Sequence, residues 1–425
     1  MALTAAKTIE VIWESTLEFF ETQDLLLDMC DSNTPDPGMM QKSNDEYWVP
    51  VQQDGRIIEG DDLSGQARGI VEQQCPYTLG TLKNDLVNQK ALDLRTEEYW
   101  RKTQRASVKK MASHLNSEIA NTIAAHGAHY IRANDANGFD FISRGQELQD
   151  DLQAVNLKRY FLLNNPTKRA YASDLANKDN LTGRPEEYAW KKGMVGTDVA
   201  DYDILSGSFL PLITGGANPA TTVVGTQSFI PEGTIYNPAT RARTPIDYRQ
   251  AIIPVVDASG YAVGDKVQFA NAAVPVEWIG RDTKVTTQKP FTATIVDING
   301  NNVTIFPKPI AFDDPALGVA EKPSSTVNTR ILAGATMDRM NIDASAKTNL
   351  FWEKDAVTVV KGTIPSELFQ SYQAANVLTK TLSNGLTLYC MYKGDIITLD
   401  FDFRITARWG VVINDPGNCG VAVKY

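Results

Sequence analysis

The sequence predicts an α+β chain, and three observations carry that expectation. A helical pattern runs without a break from Asp93 to Ala125, short strands with turn residues between them fill about 217–338, and Gln52 to Gly80 is too poor in apolar groups to bury a core of its own. The 425 residues suit two or three domains at about 150 residues each. Hydrophobic residues at 43% and charged residues at 22% are ordinary globular values, which excludes a disordered or collagen-like chain. No window approaches ~18 uninterrupted apolar residues, so a spanning helix is excluded. Met1 to Glu21 carries acids early and lacks a basic n-region before an apolar stretch, so no secretory signal is expected. With 41 Lys+Arg against 51 Asp+Glu the net charge is −10, which argues against tight nucleic-acid binding.

Residues 1–31 read as an amphipathic helix followed by a turn. Ile9, Ile12, Trp13, Leu17 and Phe20 recur at steps of three and four, and Glu10, Glu14 and Glu18 line another face. Such an acid row is a solvated face or a docking strip for a basic partner. Asp31 to Gly38, with two prolines, is expected to end the helix in a turn. Tyr47-Trp48-Val49-Pro50-Val51 is an aromatic and β-branched strand, and Pro50 places it at a sheet edge or strand end. Gln52 to Gly80, with Gly55, Gly60, Gly65 and Gly69 among scattered charges, reads as a long β-hairpin arm projecting from the body; the plain alternative is a surface loop.

Asp93 to Ala125 contains neither Pro nor Gly and has acid-first pairs Glu97–Arg101 and Glu98–Lys102. Leu92, Tyr99, Val108, Met111, Leu115, Ile119 and Ile123 supply its apolar seam, and Gly127 its stop. A helix of ~50 Å is a strut for sheets to pack on. Asp140 to Gly207 looks mixed, with a buried strand Arg159–Leu163 ended by Asn164-Asn165-Pro166 and a short helix opening at Gly183-Arg184-Pro185. After Gly215-Gly216 the composition shifts to Val, Thr, Ile and Pro. Strands are expected at Ile252–Val256, Lys266–Phe269, Val274–Trp278, Phe291–Val296 and Val303–Phe306, with a type I′ turn at Asn299-Gly300. That spacing means a small antiparallel barrel or sandwich, inserted within the chain. Thr348–Trp352, Ala356–Val360, Leu386–Met391 and a closing set Ile396–Val412 follow.

Motifs for chemistry are weak. His126 and His129 form an HxxH with no Cys near, and a zinc site needs three or four ligands. Asp297, Asn299 and Asn301 imitate the start of a calcium loop but lack its Gly and Glu. Gly260 to Lys266 misses the phosphate-loop spacing, and Asp265 opposes a phosphate. Cys30, Cys75, Cys390 and Cys419 are scattered without CxxC, as in a reducing compartment. No catalytic residue, metal or cofactor is expected.

The order of parts, with Met40-Gln41-Lys42-Ser43-Asn44, Trp48-Val49-Pro50-Val51, Gly183-Arg184-Pro185-Glu186-Glu187, Thr348-Asn349-Leu350-Phe351-Trp352, Gly394-Asp395-Ile396 and Trp409-Gly410-Val411, resembles the major capsid proteins of short-tailed, Salmonella P-22-like bacteriophages, which have the Hong Kong 97 (HK-97) capsid fold. The resemblance implies an N-terminal arm at 1–33, a peripheral-domain strand at 34–51 and an extended loop at 52–88. It places the spine helix at 93–126, within a spine and peripheral segment 89–130. The first part of the axial domain falls at 131–216, an inserted β-barrel at 217–338, and closing axial and peripheral strands at 339–425. It also implies hexamers and pentamers assembled around scaffolding protein, a portal protein at one vertex, expansion on packaging, and double-stranded DNA held only by weak non-specific contact. Assembly is expected in the bacterial host cytoplasm, with no membrane and no subunit crosslinks.

On that reading, Arg56, Asp61, Asp62 and Arg68 are expected to pair with charges on adjacent subunits, setting register more than strength. Arg241, Arg243 and Asp247 sit in a polar loop that bridges capsomers or is merely solvated. Glu14 and Glu18 are expected to meet a basic scaffold segment. Two other classes compete: a β-rich phage tail or decoration protein, which needs no long spine helix, and a cytosolic α/β enzyme, which needs a polar pocket.

Overall fold

A computed structural model describes residues 13–14, 17–20, 25–42, 45–51, 61, 64, 73–90, 97–135, 138–152, 158–176, 199–217, 220–233, 236–237, 239–240, 242–243, 246–318, 321–342, 344–364, 376–394, 397 and 400–425. Helices are few and strands many, so the class is α+β. The chain divides into two compact units. One comprises Met1–Tyr47, Tyr77–Ile119 and Thr358–Val412, and the other Trp48–Pro76, Ala120–Val357 and Ile413–Tyr425.

The first unit is organised on the helix Glu97–His126, of which the part to Ile119 belongs here. Thirty residues at 1.5 Å each make it about 45 Å long. Gln104, Ser107, Val108, Met111, Ala112, Leu115, Asn116 and Ile119 are buried at steps of three and four, so the seam read from the sequence is the packed face. Asn116 is tolerated there because its Oδ1 accepts the Leu26 N–H at 3.1 Å. The exposed pair Glu98–Lys102 forms at 2.8 Å. Leu92, and the side chains of Glu97 and Tyr99, lie outside the described residues.

Trp13, Leu17 and Phe20 are buried, in helical backbone; Ile9 and Ile12 are outside the described residues. The helix expected as far as Asp31 stops sooner. Leu27–Met29 is a 3-10 turn, and Asp31–Asn33 is a strand parallel to Thr358–Val360. Asp24, Asp28 and Asp31, spaced four and three apart, would repel along a helix, whereas the neighbouring strand offers the Asp31 backbone a ladder. Pro37–Lys42, whose first two residues were expected in the turn, is a short helix with Pro at its first position. Asn376–Thr381, Thr387–Gly394, Asp400–Ala407 and Lys83–Lys90 form an antiparallel sheet in that order, and Lys83–Asn88 of the expected 52–88 loop lie in it. The closing set is split at Arg408, whose guanidinium forks onto Asp45 and reaches Gly80 O; Trp409–Ile413 joins a separate sheet.

In the second unit a sheet is ordered His129–Arg132, Cys419–Val423, Ala346–Glu353, Arg159–Leu163, Tyr202–Ser206. All five residues of Arg159–Leu163 are buried, as its unbroken apolar run required. Asn164 ends that strand and caps the next helix, Asn165–Ala176, by accepting the Thr167 N–H at 2.8 Å. Phe161 and Phe351 stack at 5.9 Å between the sheet and the helix Phe139–Asp151. The segment from Gly183 to Tyr188 lies outside the described residues.

The second sheet of this unit is a barrel. Its strands run Ala251–Pro254, Asn302–Phe306, Thr292–Asn299, Lys266–Asn271, Thr336–Arg339, Ala220–Thr222. The last meets the first through the Val223–Val255 bridge, with Val224 N–H to Pro254 O at 2.8 Å and Val256 N–H to Thr222 O at 2.9 Å. Ile253, Val255, Val267, Phe269, Phe291, Ile295, Val303, Ile305 and Met337 fill it. The hairpin turn falls one residue later than expected. Asn299 pairs with Asn302, and Gly300 at φ +59° takes the first central position, as in a II′ turn. Val274–Trp278 is broken into Val274–Pro275 and Glu277–Ile279, since Pro275 has no N–H to carry a ladder on.

Gly420 shows how tightly the two central strands and the His129 backbone approach. A Cβ there would stand 2.5 Å from Phe351 Cζ and 2.6 Å from His129 Cβ. Gly420→Ala is expected to cost about 1–3 kcal/mol in urea unfolding, and an unchanged midpoint would contradict that packing.

Candidate assembly surfaces

Glu46–Pro50 pairs with Gln74–Thr78, and Val51 N–H donates to Gln73 O at 2.9 Å; between them, the arm expected from the sequence lies outside the described residues except at Asp61 and Ser64. Asp61 is exposed, whereas Arg56, Asp62 and Arg68 lie outside the described residues. Glu14 and Glu18 are exposed beside buried Trp13 and Leu17. In the insertion, Tyr236–Asn237 pairs with Ala242–Arg243 as a small ladder; Arg241 and the Arg243 side chain are outside the described residues.

Asp247 is engaged within the chain. The Arg249 guanidinium forks onto its carboxylate at 3.0 and 2.9 Å, donates onward to Ile413 O at 2.8 Å and Asn414 O at 3.2 Å, and lies 5.1 Å over the Phe306 ring. Both side chains are largely buried, at 11% and 14% exposure. Arg249 therefore ties the base of the polar loop to the turn that follows Trp409–Ile413. Arg281 pairs with Asp415 of the same turn, and Lys289 with Glu147.

Lys266 makes the deepest of these attachments. On the barrel wall Val267 and Phe269 point inward, so Lys266 and its cross-strand partner Thr294 point outward, yet both are buried. What covers them is the end of the long helix. Lys266 Nζ lies 2.7 Å from Gly127 O and 2.6 Å from Thr294 Oγ1, and Thr294 Oγ1 donates to Gly127 O at 3.0 Å. A neutral amine has two hydrogens, one for each acceptor; the third hydrogen of an ammonium has no partner among these groups. Burial accordingly pushes the Lys266 pKa down to about 7. Gly127 ends the helix as expected, but through close approach: a Cβ there would stand 3.1 Å from Cys419 O.

The histidines pack. His126 meets Phe306 edge-on at 6.2 Å, and His129 Nε2 donates to Gly417 O at 2.8 Å between Trp278 and Phe351. Burial lowers both to about 4, so both rings are neutral near pH 7. Among the described residues no group of His, Cys, Asp or Glu is placed to hold a metal. None of the four cysteines is in a disulfide, all four are buried, and burial raises Cys75 to about 11. No helix among the described residues is long and apolar enough to cross a membrane.

Reading the sequence missed Arg249, Lys266 and Arg281 as anchors. Lys266 heads an alternating strand in an outward position, where a charge normally means solvent, and only the fold shows what covers it.

A protein-family model described as "P22 coat protein - gene protein 5" matches residues 1–424. The chain belongs to that family. It is a bacteriophage major capsid protein, a virion component whose copies form an icosahedral shell. Among solved structures it is similar to the capsid of cyanophage P-SCSP1u, at 11% identity over 95% of this chain and 88% of that one (TM-score 0.45). It is also similar to a chain of Mycobacterium phage Che8, at 9% over 94% and 90% (0.42), and to the CUS-3 coat protein I-domain, at 26% over 28% and 94% (0.21). With TM-scores this low, the family match alone carries the assignment.

Lys266 gives a pH signature. Its folded pKa lies below that of the unfolded chain, so the unfolded state binds more protons above pH 7 and stability rises with pH there. The buried thiols act oppositely once unfolded cysteines ionise near pH 9, which leaves pH 7 to 8.5 as the window. Lys266→Met is expected to flatten the rise in urea-unfolding free energy across that window, and an unaltered slope would contradict the lowered Lys266 pKa. Arg249→Met strands the Asp247 carboxylate and two carbonyls, and is expected to cost roughly 2–4 kcal/mol in the same assay.

Proposed function

We propose that copies of this chain close as hexamers and pentamers into a shell of the Hong Kong 97 type, around scaffolding protein and with a portal at one vertex, inside the bacterial host. Packaging of double-stranded DNA then expands the shell. The observation that carries this reading is the family match along 1–424. The spine-like helix Glu97–His126, the hairpin base at Val51 and Gln73, and the inserted barrel suit it. A chain of net charge −10 suits a container as well, because a wall that gripped DNA would oppose its entry.

In this proposal the domain limits follow the parts expected from the sequence, and Arg56, Asp61, Asp62 and Arg68 set the register of the arm on a neighbour. Each exposed pair contributes only ~0–1 kcal/mol, so misplaced subunits leave while the finished shell holds through many contacts. Arg241 and Arg243 reach a neighbouring capsomer from the loop, and Asp247 anchors its base to Arg249. Glu14 and Glu18 meet a basic scaffold segment.

Electron microscopy of the chain co-expressed with its scaffolding protein is expected to show closed particles; small soluble species alone would defeat the reading. Asp62→Arg is expected to lower the yield of correctly sized shells several-fold, and an undiminished yield would remove that residue's role. Scaffold binding is expected to weaken as salt is raised and with Glu14→Ala; binding indifferent to both would discard the acidic strip.

A further inference from the structure

Ala251-Ile252-Ile253-Pro254-Val255-Val256 is apolar at six successive positions, whereas a barrel strand with one face in solvent alternates. Ala251, Ile253 and Val255 point inward and are buried. Ile252 and Val256 point outward and are 60% and 59% exposed, with Pro254 between them on the same face. On the adjoining strand Val224, 49% exposed, stands opposite Pro254 and donates its N–H to Pro254 O. Four aliphatic side chains thus form one outward patch.

The barrel order says what cannot cover it. Lys266 and Thr294, which face the helix end, stand on the fourth and third strands of the ring, and the patch stands on the first and last. The patch is therefore on the side of the barrel opposite its seat, turned away from the chain's own helix end.

We propose that Val224, Ile252, Pro254 and Val256 pack against the same patch of a second copy of this chain within the shell. The proposal rests on the capsid reading, which surrounds each subunit with copies of itself. Area selects the manner of contact. A stable complex covers roughly 800 Å² per partner, far more than four side chains expose, so the patch holds no dimer in solution. It closes where other contacts already bring copies together, and an uncharged aliphatic surface is complementary to itself across a two-fold axis.

Pro254→Cys places a thiol at the centre of the patch while the four native cysteines are buried. Under mild oxidation, assembled shells are expected to yield disulfide-linked dimers at least tenfold above unassembled chain and above shells of Val285→Cys, a control at another exposed apolar position. Shells without such dimers overturn the proposal, whether maleimide reaches the thiol, meaning a bare patch, or does not, meaning cover by a different surface. Ile252→Thr with Val256→Thr keeps β-branched shape and is expected to leave the unassembled chain's melting temperature unchanged while lowering that of shells. Equal shell melting also overturns it. Wild-type chain that builds no shells would sink the capsid reading itself, a distinguishable failure.

Discussion

Backbone carbonyls without helical or sheet partners govern how the insertion is held. A long helix ends at His126 with carbonyls that its own ladder leaves open, and the turn after Ile413 presents more of them. The insertion supplies donors for both: Lys266 and Thr294 to Gly127 O, and Arg249 to Ile413 O and Asn414 O. A hydrogen bond contributes about 0.5–1.5 kcal/mol net from a neutral donor and about 1.5–3 from a charged one, and a buried carbonyl left unmet costs about 1–3 kcal/mol. Lys266 makes its two bonds where burial pushes its pKa down to about 7. Arg249 keeps its charge and shares it with Asp247.

This attachment decides what the insertion shows to the outside. One wall of the barrel is committed to the helix end, so the opposite wall, with Ile252 and Val256, stays exposed. Because Arg249 binds Asp247 and the 413–414 carbonyls at once, the base of the polar loop is fixed to the body. A capsid subunit needs such fixity, since many weak contacts add up only when each is presented at a set angle.

Long periodic or unbroken patterns were the legible ones. The seam of Val108, Met111, Leu115, Ile119 and Ile123 was readable because steps of three and four persisted over thirty residues, and Arg159–Leu163 because its apolar run had clear ends. Short elements were not. Asp31–Asn33 is a strand only because Thr358–Val360 lies beside it, a partner over three hundred residues away. The turn at Ala272-Ala273, with both φ values positive, carries no glycine to announce it. Of the expected contact residues, Glu14, Glu18 and Asp61 were legible as exposed charges, while the Asp247–Arg249 fork depended on carbonyls 164 and 165 residues distant. A pattern along the chain cannot express such a partnership.

Native-state hydrogen exchange tests the shared attachment most directly. Ile305 reports the barrel, Val421 the body sheet, and Ala128, whose N–H donates to Pro416 O, the ground between them. If the insertion and body are one cooperative unit, these three amides exchange through a single opening with one free energy and one denaturant dependence. Exchange of Ile305 through its own, separate opening while Ala128 and Val421 stay protected would contradict it.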